Sequence, residues 1–533
     1  MEPIRSAEAD AAARRERAEA AGVPAAAALL AGSVLLSRAL GFVREALLAY
    51  QVGATGSADA YYAAFTLPDL LNHLLAAGAL SIAFLPLYTQ VRERGEAEAE
   101  RLLATMIGTL GLVALAGTAL LWLVAGPLTS LQYPAFDAAK HALTTRLTRI
   151  VLPGQVFFLV GGVVQAALLA RGRFLAAALA PLVYNLGIVA GGLLLGPWLG
   201  VEGFAWGALA GAVLGPFGCP WLDARRRLRL GWRVAPRAPE FRRYLWLAIP
   251  VVAGFSLLTV DEWYGKWFAP ASAGAIALLS FARRLMQAPV AVIGQAVAAA
   301  AQPALANLWA AGRGDELDRV LTATLRSAFA LGVLAGAVTF ALAEPLVAVV
   351  YERGAFDAKA AAETARLLAI FSATVPAWVL QQISVRAFYA RSETWRPMLL
   401  GTAFVLAAIP LYLVLGRRHG IEGVAAAGVV AMWANALATL LYARVHYGGP
   451  ALLPLAASAA RAFAIAALAA PAAAFVIAGR SGTLGALADL ALGGLVFAVV
   501  AALGVALLGD AALRDALRRL ARRVPARRTP APG

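Results

Sequence analysis

Residues 25–50 read AAAALLAGSVLLSRALGFVREALLAY, an apolar run interrupted only by Arg38, Arg44 and Glu45. As a helix rising about 1.5 Å per residue, it is long enough to cross a hydrocarbon core about 30 Å thick. An arginine at the bilayer centre costs about 2.5–3.5 kcal/mol on insertion scales, so guanidinium groups in such a run face a wet cavity or a partner. Arg283 and Arg284 repeat the pattern in a second apolar run near mid-chain. We read these arginines as the lining of a cationic cavity for an anionic substrate.

The rest of the chain agrees. Of 533 residues, 61% are hydrophobic and 14% charged, with a mean hydropathy of +0.74. No soluble domain of this length carries that composition on its surface. The net charge of +16 would suggest nucleic acid in a soluble protein. Here it is first a matter of topology, because cytoplasmic loops collect basic residues, and no nucleic-acid partner is expected. The one cysteine, Cys219, excludes an internal disulfide, and His73, His141, His419 and His446 are scattered, so no metal site is expected. Gly265-Lys266 has Val260 where a phosphate-binding loop needs glycine, which argues against ATP-driven pumping.

Cutting the chain at charged and turn-rich breaks predicts an all-α polytopic membrane protein of about fourteen spans. They lie near 25–50, 58–90, 102–126, 147–170, 174–197, 203–222, 244–268, 271–310, 318–343, 365–390, 396–415, 422–445, 456–478 and 484–508. The second and eighth are too long for one simple span and are expected to tilt, kink or extend beyond the bilayer. An even number puts both termini on one side. Arginines crowd the amino terminus (Arg5, Arg14, Arg15, Arg17), the loop with Arg92, Arg94 and Arg101, the stretch from Arg225 to Arg243 and the tail from Arg514 to Arg528. Loops 51–57 and 197–202 have none, although Lys140, Arg353, Arg417 and Arg418 fall on the other expected outer loops. The bias predicts cytoplasmic termini. Residues 1–24 read as a short surface helix rather than a cleaved signal. In the tail, 509–533, Leu513, Leu517, Leu520 and Val524 form a stripe that suits either an anionic leaflet or a solvated end.

Three pairs of segments match at one constant offset. Pro134-Ala135-Phe136-Asp137 matches Gly354-Ala355-Phe356-Asp357, Ala170-Arg171 matches Ala390-Arg391, and Gly200-Val201-Glu202-Gly203 matches Gly420-Ile421-Glu422-Gly423. A looser echo joins Glu100-Arg101-Leu102-Leu103 to Asp318-Arg319-Val320-Leu321. Six spans separate each pair, predicting two six-helix lobes related by a parallel repeat, 25–222 and 244–446, joined by a basic cytoplasmic loop at 223–243. Spans 13 and 14, within 447–508, remain unmatched. A substrate site is expected between the lobes.

Arg38 and Arg44 are separated by about 240° on a straight helix, and Gly41 between them would permit a bend. Glu45 shares the face of Arg38 and would balance its charge, while snorkelling of Arg44 to an interface is the plainer alternative. Arg283 and Arg284 point about 100° apart, so one would serve the cavity and the other a lobe interface, with Pro289 kinking the helix beyond them. Asp59 opens span 2, as a cap or as a cavity carboxylate. Asp261, with Asn435 of span 12, is a candidate cation site; interfacial solvation of Asp261 and Glu262 beside Lys266 is the plainer reading. Gly187, Gly191, Gly207, Gly211 and Gly215 have the spacing of close helix packing. No pair of catalytic carboxylates accompanies the arginines, so transport is expected and enzymatic chemistry is not.

The stretch Ser37-Arg38-Ala39-Leu40-Gly41-Phe42-Val43-Arg44-Glu45, followed by Ala58-Asp59-Ala60-Tyr61 and Leu67-Pro68-Asp69-Leu70-Leu71, resembles the amino-terminal signature of the MurJ/MviN lipid II flippases. So do Arg284-Leu285-Met286 before Pro289, Tyr351-Glu352-Arg353-Gly354-Ala355-Phe356 and Phe388-Tyr389-Ala390-Arg391. The resemblance implies the multidrug/oligosaccharidyl-lipid/polysaccharide exporter fold, alternating access, and a lipid-tail groove formed by spans 13 and 14. It further implies that Arg38, Arg44 and Arg284 contact a pyrophosphate and sugar head group, with Glu45 and Asp59 setting cavity charge and gating. Asn72 and His73 stand where the family usually has arginine, Ala77 where it usually has glutamate, and Arg283 where aspartate is common. These departures imply that one cavity cation has moved from span 2 to span 8, with Asn72 kept as a candidate substrate contact.

The implied function is translocation of an undecaprenyl-pyrophosphate-linked peptidoglycan precursor across the bacterial cytoplasmic membrane. No cofactor is expected, and coupling would come from the membrane potential or a monovalent cation. The expected partners are the lipid-linked anion, membrane lipids and cell-wall synthesis proteins. Alternatives are a flippase for another polyprenyl-linked saccharide and a scaffold for wall synthesis.

Overall fold

The computed structural model describes residues 29–76 except 31, 83–253, 257–270, 272–480, 482–510 and 513–514. The surface helix expected in 1–24, most of the tail stripe and Ala77 lie outside the described residues. Those described are helical almost throughout, with no strand among them. This is the expected outcome in lipid, where each helix satisfies its own backbone groups.

Among the described residues, eight helices are long and apolar enough to cross a membrane, and the bent pair Ala358–Ser372 with Thr374–Tyr389 also qualifies. The difference from about fourteen has local causes. Trp395–Tyr447 contains Gly420 at φ 58°, ψ −136°, so this one element holds the expected spans 396–415 and 422–445. Span 2 is divided into Gly56–Ala64, Thr66–Ala76 and Leu85–Arg94, and span 7 into Pro239–Ala253 and Leu257–Trp267. Span 6 has a π turn at Val213–Gly218 around Pro216. The long eighth segment is one helix, Ala275–Ala310, with a π turn at Ala291–Gln295 just after Pro289. Proline removes a backbone donor, and the ladder adjusts where that bond is missing.

The chain divides into two compact units, residues 1–52 with 60–253 and residues 53–59 with 254–533. In the first, Phe84, Tyr88, Leu103, Met106 and Val163 form a core that also buries Phe241 and Tyr244. The basic stretch after residue 224 is exposed over most of its length but tied down at its middle. The Arg233 amide donates to the Ala104 carbonyl at 3.0 Å, the Ala235 amide donates to Thr109 Oγ1 at 3.1 Å, and the Trp232 ring covers Gly111. Helices Leu175–Leu194 and Val201–Ala212 cross on glycine. A Cβ added at Gly187 would lie 2.5 Å from Gly211 Cα, and one at Gly191 would lie 2.5 Å from Gly207 Cα. The small-residue spacing is therefore a packing device.

The internal repeat recurs in backbone geometry. Asp137 caps Ala138–Val151 by accepting from the Lys140 amide, and Asp357 caps Ala358–Ser372 by accepting from the Ala360 amide, both from extended conformations. Gly200 lies at φ 56°, ψ −132°, close to Gly420. Arg146 pairs with Glu202 at 3.0 Å and Arg366 with Glu422 at 3.8 Å, again at the same offset. At the third match, the amides of Arg171, Gly172 and Arg173 bond to the carbonyls of Leu168, Leu169 and Leu168. Those of Arg391, Ser392 and Glu393 bond to Phe388, Tyr389 and Phe388. There the first copy has Gly172 at φ 72° and the second has Ser392 at φ 61°. A left-handed conformation costs a side-chain-bearing residue about 1–2 kcal/mol, partly offset on replacement by the greater unfolded-state freedom of glycine. Ser392→Gly is therefore expected to raise the thermal unfolding midpoint of the purified protein. A lower midpoint would mean that the serine contributes more than its backbone costs.

Helices Leu452–Phe475 and Gly482–Leu508 complete the second unit, the former packed along Gly314–Ala341. Just beyond the last helix, Asp510 accepts from Ser458 Oγ, from Arg326 Nη2 at 2.8 Å and from the Leu513 amide at 2.9 Å. Burial would raise this carboxyl, but the donors outweigh it and hold the group down to about 2.

Candidate functional site

In the first unit, residues 32–52 are helical through Gly41. Arg44 Nη2 donates to Glu45 Oε1 at 2.7 Å and Nη1 donates to Asn185 Oδ1 at 3.2 Å. Tyr62 Oη donates to Glu45 Oε2 at 2.5 Å. Asn185 is itself held, its Nδ2 donating to Ser37 Oγ at 3.2 Å and to the Pro181 carbonyl at 3.1 Å. The Arg44 side chain keeps 17% of its exposure and that of Glu45 only 3%, so of the two only Arg44 stays partly accessible. Glu45, expected to balance Arg38, also engages its immediate neighbour Arg44. Arg38 and Asn72 are half-buried.

Sequence reasoning misses Asn185 and Tyr62 as members of this cluster. Asn185 carries a signal, as the one amide side chain in the apolar segment 174–197. Tyr62 carries none, since a tyrosine on an apolar face is ordinary core.

In the second unit, Asp59 caps a helix other than its own. Its carboxylate accepts from the amides of Gly274 at 2.8 Å and Ala277 at 2.9 Å, at the start of Ala275–Val290. A carboxylate there satisfies orphan amides and complements the helix dipole, and it anchors the helix bearing Arg283 and Arg284. The approach is close enough to require glycine. Gly274 has φ 87°, and a Cβ there would strike the Ala54 carbonyl, just as one on Gly53, φ 68°, would strike that of Ala355.

Arg283 is buried, paired with Asp261 Oδ2 and lying 5.0 Å from the centroid of the Phe371 ring. Tyr412 Oη donates to the other Asp261 oxygen. A Cβ on Gly428 would lie 2.7 Å from Asp261 Oδ1, so this position must be glycine for the pair to close. Asp261 is 5% exposed, which replaces the interfacial solvation expected for it with burial. Lys266 is likewise buried and reaches Glu262, which is half exposed, at 3.2 Å. Both Asp261 oxygens are engaged within the protein, and Asn435, its expected companion at a cation site, is buried with no hydrogen-bond partner for Oδ1 among the described residues. Arg284 is half-buried, on the next position of the same helix.

Each unit thus places an arginine in an apolar helix beside a carboxylate, fixed by a tyrosine. The model of a family described as lipid II flippase MurJ matches residues 48–490. The chain belongs to this family. A relative from Rhizobium tropici, named "Probable lipid II flippase MurJ", is 32% identical over 433 residues, spanning 78% of this chain and 80% of the relative. The solved structure "Lipid II flippase MurJ, inward closed conformation" aligns with TM-score 0.76 and 20% identity over 90% of this chain and all of that one. An inward-facing multidrug resistance MATE transporter of the MOP superfamily aligns at 0.65 and 14% identity, over 77% and 94%. The family and the apolar helices make the chain a multi-pass membrane protein. The MurJ match begins after Arg38, Arg44 and Glu45, so their assignment rests on geometry and on the signature read from the sequence.

Proposed function

We propose that the chain translocates an undecaprenyl-pyrophosphate-linked peptidoglycan precursor from the cytoplasmic to the outer leaflet by alternating access, with both termini cytoplasmic. The MurJ family match across 48–490 is the observation that carries this reading, and the partly accessible Arg44, set in an apolar helix, supports it. Charge-assisted bonds from guanidinium to phosphate are short and directional. Arg44, already tied to Glu45, would exchange part of that interaction for a diphosphate, so binding and release differ by little beyond desolvation. Arg38 and Arg284 are the further candidate contacts. Arg283 is assigned to the interior of the second unit through Asp261. Outward movement of negative charge is favoured by an inside-negative potential by about 2.3 kcal/mol per uncompensated charge per 100 mV. That requires neither a cofactor nor chemistry on the substrate.

Expression of the chain in a flippase-depleted bacterium is expected to restore growth, and native mass spectrometry of the purified protein to reveal a bound polyprenyl diphosphate bearing the peptidoglycan sugars. Failure of rescue, together with copurification of a different polyprenyl-linked saccharide, would replace the substrate. Rescue failure with no bound polyprenyl lipid would favour a scaffold.

A further inference from the structure

The first unit contains a second concentration of arginine that the proposed transport does not use. A groove of about 580 Å³ is lined by Trp122, Arg146, Arg149, Ile150, Trp206 and Leu209, with the two indoles flanking two guanidinium groups over an apolar floor. Arg146 is neutralised by Glu202 at 3.0 Å. Arg149 is not paired with a carboxylate among the described residues. Its Nε donates to the Trp122 carbonyl at 3.1 Å, and its guanidinium carbon stands 4.8 Å from the centroid of the Trp122 ring. The groove therefore offers one uncompensated positive charge, oriented by one bond and one ring.

The internal repeat separates structural from additional residues here. The ion pair Arg146–Glu202 recurs as Arg366–Glu422, so it belongs to the repeat rather than to this groove. The positions that the repeat relates to Arg149 and Trp206 are Ala369 and Ala426. The second copy makes the same helices without that arginine or that indole. The shared fold therefore does not demand them.

We propose that this groove binds a bilayer glycerophospholipid with an anionic head group, its phosphate on Arg149 and its acyl chains on the floor of Ile150 and Leu209. Three properties select this occupant. A single guanidinium matches the single charge of a phosphodiester. Tryptophan is the residue that settles at head-group depth. With Arg146 balanced by Glu202, the groove keeps one net positive charge, which favours a head group of net negative charge over a zwitterionic one carrying its own cation.

The test uses the full-length protein in nanodiscs of equimolar phosphatidylglycerol and phosphatidylcholine, with native mass spectrometry reading the lipid retained after gentle activation. The wild-type protein is expected to keep phosphatidylglycerol in preference. Arg149→Ala is expected to lower that retention about fivefold, the effect of one basic residue on an anionic lipid, while Arg366→Ala, in the second copy, leaves it unchanged. Arg149→Gln preserves a donor for the Trp122 carbonyl and removes only the charge, which keeps the test decisive if the alanine variant does not fold. Equal retention by wild type and the Arg149 variants, equal retention of the two phospholipids, or a polyprenyl diphosphate displaced by the same substitution would overturn the proposal.

Discussion

Arg44→Gln is expected to abolish rescue of a flippase-depleted strain and, separately, to destabilise the first unit. The second effect follows from Glu45, which is 2% exposed and would lose the guanidinium now 2.7 Å from its Oε1. Breaking one side of a buried ion pair costs about 3–5 kcal/mol, most of it the penalty of the charge left behind. A lost phenotype from the single variant alone would therefore not identify a substrate contact. The double variant Arg44→Gln/Glu45→Gln removes both charges and keeps groups able to bond to Asn185 and Tyr62. Its unfolding midpoint in detergent should return most of the way to wild type, while translocation of the lipid-linked precursor should stay absent. Growth rescue by a stable double variant would show that the guanidinium serves folding alone, and the proposed handling of the diphosphate at this position would be wrong.

The second large effect lies in the other unit and has the opposite functional sign. Arg283→Ala or Asp261→Ala should each cost about 3–5 kcal/mol, because either leaves a charge in a site closed by Tyr412, Phe371 and Gly428. Replacing both with apolar residues of similar volume, Asp261→Leu with Arg283→Met, should restore stability, since a buried pair gains little net over well-packed hydrocarbon. If the pair is internal to the unit, the double variant also transports. A stable double variant without transport would return Arg283 or Asp261 to the substrate or coupling pathway. Single variants with wild-type midpoints would mean that the pair does not form in the membrane.

These two clusters also mark where reading the chain alone runs out. Membrane class, approximate span positions, the glycine seam of Gly187, Gly191, Gly207 and Gly211, and the repeat were all legible, because each depends on composition or on spacing along one helix. The equivalence of Asp137 with Asp357 and of Gly200 with Gly420 was visible in short motifs for the same reason, since a cap or a left-handed turn needs only a few neighbouring residues. The candidate arginines were legible as well, because an unlikely residue in an apolar run announces itself through its desolvation cost.

Which partner each charge chose was not legible. Helical phase relates Glu45 to Arg38, and the structure adds bonds to the adjacent Arg44 and to Tyr62, set by side-chain reach and by a second helix. Asp59 reads as the cap of its own helix or a gating group, and it caps a helix that begins only at Ala275, far along the chain. Asp261 reads as solvated, and packing buries it against Arg283 and Tyr412.

The chain by itself therefore determined that it enters a membrane, where it crosses, that it is built from two related copies, and which residues cost too much in lipid to be incidental. Tertiary structure alone decided which of those charges are neutralised inside a unit and which keep a face outward. Burial sets the cost of a charge wherever its helix lies, but the compensating atom comes from whichever distant helix packs alongside, and that is not written in local periodicity.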